Sequence, residues 1–137
     1  VIANKYLILG ASLLINSQLI AATDESECHQ LDSPWIAITS GQVTLSAKSQ
    51  PSTISTSEPF SLFVSVCQGL HPYSGKLKFD AQMPLHKHGM NYQPSIIQLE
   101  EGRFLIQGNL LHMPGLWQFS FSLDSHPQAL FYNYDLP

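Results

Sequence analysis

Past residue 22 the chain shows no stretch with a 3.6-residue apolar stripe, and it shows no internal repeat. The first absence leaves no amphipathic helix to pack against a sheet or another helix. The second excludes solenoids and propellers. Basic residues are few, six Lys and Arg against ten Asp and Glu, and they form no patch or aromatic-basic interleaving. Nucleic acid is therefore not an expected partner. The acids are scattered without a D-x-D-x-D pattern, which excludes a calcium loop of that kind. No G-x-S-x-G nucleophile elbow occurs. The N-terminus expected after leader cleavage, near Thr23, offers no histidine for a copper brace. These missing motifs point to a binding protein and not an enzyme.

The 137 residues amount to about one domain. Residues 1–22 read as a signal peptide: one positive charge at Lys5, an apolar run from Tyr6 to Leu14, and small residues at Ala21 and Ala22. Asn16, Ser17 and Gln18 interrupt the run, which falls short of the ~20 apolar residues of a spanning helix. The expected location is the periplasm or the medium, with no membrane attachment after cleavage. In an oxidising compartment Cys28 and Cys67 are expected to form a disulfide that tethers an N-terminal segment, residues 23–41. The alternative is that Cys28, followed by His29, ligates a metal.

Residues 42–137 alternate with a period of two. "FSLFVSVC" sets Phe60, Leu62, Val64 and Val66 on one face, "GKLKFDAQM" sets Leu77, Phe79 and Ala81, and "LWQFSFSLD" sets Trp117, Phe119, Phe121 and Leu123. "QVTLSA" and "ALFYNYDL" add two more strands, and "SIIQLEEGRFLIQGNLL" reads as two joined by a tight turn at Glu101-Gly102. About seven consecutive strands without helices predict an all-β fold, a single antiparallel Ig-like β-sandwich, with Trp117 in its core.

The three methionines all lie within three residues of a histidine. Two flank "MPLHKHGM", Met83 to Met90, and the third follows His112 in "LHMPG". Pro84 and Pro94 bracket the first motif, which is expected to form a long connection at one end of the sandwich. His86 and His88 are spaced to share one side of an extended backbone, and Gly89 allows a sharp turn. Continuing the alternation from Phe104 and Ile106 places His112 inward and Met113 outward, unless the turn at Pro114-Gly115 breaks the register. Neutral thioethers select monovalent copper, and imidazole suits copper in either state, so the imidazoles alone would also hold the divalent ion. Zinc would accept the histidines but gains little from methionine. The candidate metal ligands are His86, His88, Met83, Met90, His112 and Met113. His29, His71 and His126 read as solvated loop residues.

The stretch "MPLHKHGM…P…GRFLIQGNLLHMPGLWQFSFSL" resembles the YtkA-like / FixH-like group of exported or membrane-anchored β-sandwich domains over about residues 60–124. The shared positions are Met83, Pro84, His86, His88, Gly89, Met90, Met113, Pro114, Gly115 and Trp117. The resemblance implies copper handling, in resistance or in supplying copper for oxidase assembly, with a copper-transfer or membrane protein as partner. The cleaved leader and the Cys28/Cys67 pair depart from the group pattern. The other expectation is a metal-free interaction module, in which the histidines fix the loop and the methionines pack.

Overall fold

A computed structural model describes residues 27–137. The expected signal peptide lies outside the described residues. The chain folds as two antiparallel sheets packed face to face. One sheet runs β1 (Ile36–Ser40), β2 (Val43–Gln50), β3 (Phe60–Gln68), β8 (Arg103–Asn109), β7 (Ser95–Glu100). A two-residue β4 (His71–Pro72) takes over the far end of β3 from β8. The second sheet runs β10 (Leu130–Leu136), β9 (Gly115–Leu123), β5 (Leu77–Met83), β6 (His88–Gly89). Between the sheets lie the alternating apolar residues: Leu62, Val64 and Val66 from β3, Phe79 and Ala81 from β5, and Trp117, Phe119 and Phe121 from β9. This is the inward and outward alternation that a half-buried sheet imposes.

The sequence alternation identifies the seven longer strands from Val43 onward. It misses β1, β4 and β6. The sandwich thus begins at Ile36 and not at residue 42, because Ile36–Ser40 pairs with Val43–Ala47. Trp35, just before β1, closes that side of the sandwich. Its ring centre lies 5.5 Å from Tyr132, 5.3 Å from Tyr134 and 6.3 Å from Phe119, and its Nε1–H donates to Ser49 Oγ at 3.2 Å.

The segment before Trp35 lies across the outer face of the first sheet. Cys28 is disulfide-bonded to Cys67 with their Cα atoms 5.7 Å apart. Around that bond Cys28 N–H donates to Leu70 O at 2.9 Å, Ser65 Oγ–H and an Arg103 guanidinium N–H both donate to His29 O, and Leu31 N–H donates to Ser46 Oγ at 3.1 Å. Ser46 and Ser65 are buried under this strap although they point away from the core. The bond consumes the Cys28 thiol, so Cys28 is not a metal ligand. A disulfide of this kind belongs to an oxidising, extracytoplasmic compartment. Among the described residues no helix is long and apolar enough to cross a membrane. The bond spans 39 residues of sequence. Its removal in Cys28→Ser/Cys67→Ser is expected to cost about 2–4 kcal/mol, read as a lower urea midpoint.

Candidate functional site

Each histidine of the two motifs is placed by a local feature of the chain. Pro84 opens a tight turn across residues 84–87, in which Met83 O accepts His86 N–H at 3.1 Å and Lys87 N–H at 2.9 Å. Lys87 closes it in the left-handed region, at φ +54°. The turn returns the chain so that His88 pairs with Met83 and Gly89 with Gln82. The expected long connection is therefore a β-hairpin that extends β5 before it crosses to β7. Residues directly opposite in an antiparallel pair project from the same face. Met83 continues the inward series Leu77, Phe79, Ala81, so His88 also takes the inner face. His86 stands exposed at the turn. The ring centres of His86 and His88 lie 5.8 Å apart. The turn brings these rings together, not the extended spacing expected from the sequence.

The second motif depends on a bulge. Phe60 pairs with Asn109 but Leu62 pairs with Ile106, so β8 carries one extra residue there. Gly108 absorbs it at φ +80°. Phe104 and Ile106 point inward before the bulge, Asn109 and Leu111 after it. The reading that carried the alternation straight on to His112 is thereby corrected: Leu111 takes the inward parity. Met113 packs against the core, and His112 turns its ring to His88, with centres 5.2 Å apart.

Trp117 joins the two motifs. It is fully buried, and its ring meets both His112 and His88 edge to face at 5.6 and 6.2 Å. Its Nε1–H donates to Met113 O at 3.0 Å and so holds the 112–115 loop against the wall. The sequence placed Trp117 in the core but did not see it as part of this site. The four-residue spacing from Met113, which lets the indole reach back to that carbonyl, was the available signal.

The methionines divide. Met83 is 1% exposed and belongs to the core. Gly115 adopts φ +119°, which favours glycine, and a Cβ there would press on the Met83 methyl group at 3.1 Å. Met90, whose N–H donates to Ala81 O at 3.3 Å, and Met113 are partly buried and pack on the same core. Of the six expected ligands, the three imidazoles come together as a row with His88 in the middle. Met83 lies across the hairpin from His88, inside the sandwich. Among the described residues no three His, Cys, Asp or Glu side chains converge as a metal-holding group. Two nitrogens are informative. His112 Nδ1 is buried with no hydrogen-bond partner, and His88 Nδ1 makes a long contact of 3.4 Å with Gly89 O.

The remaining histidines lie elsewhere. His126 Nε2 is 3.1 Å from Ser40 Oγ and ties two turns at the far end of the sandwich. His71 forms part of β4. His29 borders an open cavity of about 390 Å³ beside the disulfide, with Glu27, Glu100, Glu101 and Arg103.

No protein-family model matches the sequence, and no curated protein matches it significantly. Among solved structures, the chain is similar to the crystal structure of a DUF4426 family protein from Pseudomonas aeruginosa. The similarity has a TM-score of 0.48 at 10% identity and covers 74% of this chain and 96% of that one.

Proposed function

We propose that this protein is an exported copper-binding protein, periplasmic or secreted, which carries or sequesters copper without catalysing a reaction. The observation that carries the reading is the row of three imidazoles on Trp117, ending in a buried His112 nitrogen that lacks a partner. An unpaired buried polar atom costs about 1–3 kcal/mol, and a metal ion would satisfy it. An ion bonded to two ring nitrogens at about 2.0–2.1 Å holds the ring centres about 5–6 Å apart, and the separations of 5.8 and 5.2 Å suit that arrangement. Met113, next to His112, and Met90, two residues after His88, are the thioethers the chain offers near the row. The set is neutral and soft, which favours monovalent copper, with the divalent ion held through imidazole alone.

The test is competition for Cu(I) against a chromogenic chelator. The full chain is expected to withdraw copper from the chelator, and His86→Ala/His88→Ala to lose that ability. Absence of competition by the wild-type chain, or equal affinity in the double variant, sinks the reading.

A second reading is a metal-free interaction module. It draws on Leu85 and Tyr92, 81% and 65% exposed on the same connection. In that case the double variant would retain its fold and lose a protein contact, with no copper in either protein.

A further inference from the structure

The three rings of the row differ in their access to water. His86 is exposed beside Leu85 at the tip of the hairpin turn. His88 is half-buried on the inner face. His112 is half-buried as a residue, but its Nδ1 is closed off completely. Trp117 packs on His88 and His112, so the inner part of the row has an indole wall. No three of these side chains converge on one point, but the two neighbouring pairs have ring centres 5.8 and 5.2 Å apart.

We infer that the row is a two-position ladder, with an outer copper position between His86 and His88 and an inner one between His88 and His112. Copper enters and leaves by exchanging one nitrogen at a time. This rests on the copper reading above. In the inward step the bond to His86 breaks as the bond to His112 forms, and the His88 ring turns with the ion so that its one nitrogen–copper bond is kept. Each exchange trades one nitrogen–copper bond for another, and copper stays monovalent. The inner position favours the lower charge, because burying an ion beside an indole costs more as its charge rises. His86 is then the ligand that meets an incoming chelator or partner protein.

Two measurements on the full chain test this, using Cu(I) as the probe: equilibrium competition and stopped-flow transfer to the chelator. His86→Ala is expected to weaken the equilibrium about threefold but to slow transfer about tenfold, since the exit step is lost. His112→Ala is expected to do the reverse, weakening binding about thirtyfold and speeding transfer about tenfold. Equal affinity losses in the two variants, or a transfer rate in His86→Ala at or above the wild-type value, would overturn the ladder and leave copper binding intact. A wild-type chain that takes no Cu(I) overturns both.

Discussion

Replacing His88 with alanine is expected to lower Cu(I) affinity by about a hundredfold, or about 2.7 kcal/mol, the largest loss from any single change at the site. His88 is the one ring with a neighbour on each side, at 5.8 Å to His86 and 5.2 Å to His112. Its removal leaves neither neighbouring pair intact. The Nδ1 contact to Gly89 O, with Nδ1 carrying the proton, would leave the Nε2 lone pair free for the ion. The fold should lose little, because His88 is only half-buried and its ring contacts include the two other imidazoles as well as Trp117. Thermal melting checks this. A Tm shift of under about 5 °C corresponds to about 1 kcal/mol in a domain of this size. An affinity loss no greater than that of His86→Ala would contradict the central role.

Trp117→Ala is expected to have the largest effect on stability, about 3–5 kcal/mol. Trp117 has no exposed surface and is the largest fully buried side chain. Its loss opens a cavity at the end of the sandwich and strands the Met113 carbonyl that accepts its Nε1–H. With an m-value of about 2 kcal/mol/M, the urea midpoint should fall by roughly 2 M, a large part of the 5–15 kcal/mol that holds a typical domain together. Trp35 is the other tryptophan and remains as the fluorescent reporter. Trp117→Phe separates the two roles. It keeps most of the apolar area but removes the donor, and should cost about 1–2 kcal/mol. A variant Trp117→Ala that unfolds within about 0.5 M urea of the wild type would show that the site end contributes little to the core.

The longer strands were legible through their alternation, which is plainest in β5 and β9, where one face is buried and the other reaches water. The strands that were missed lack that mark. Ile36–Ser40 alternates over only two apolar positions, Ile36 and Ile38, directly after the polar run that ends at Pro34, and derives its place from pairing with β2. β4 and β6 have two residues each, too few for any period. The site was legible in its residue types and in the end of the sandwich where they meet. Its parity was not. Gly108 looks like an ordinary strand glycine, yet the extra residue it accommodates inverts every position after it, from Asn109 to Met113. The sequence likewise left Met83 open between metal and core. Only the seat of its methyl group against Gly115 shows how deeply it is packed.

The strap and the histidine row sit at opposite poles of the molecule. β3 begins at Phe60, paired with Asn109 near the row, and ends at Gln68, beside the Cys67 that holds Cys28. Its nine residues span about 25–30 Å. Whatever precedes Glu27 in the chain therefore joins the domain at the pole remote from the row. The length of β3 thus separates that point from the row, and the disulfide with hydrogen bonds from residues 28–31 anchors the strap there. If the protein were held at a surface by its N-terminal side, Leu85, His86 and Lys87 would form the outboard tip, facing a passing partner and not the surface that holds them.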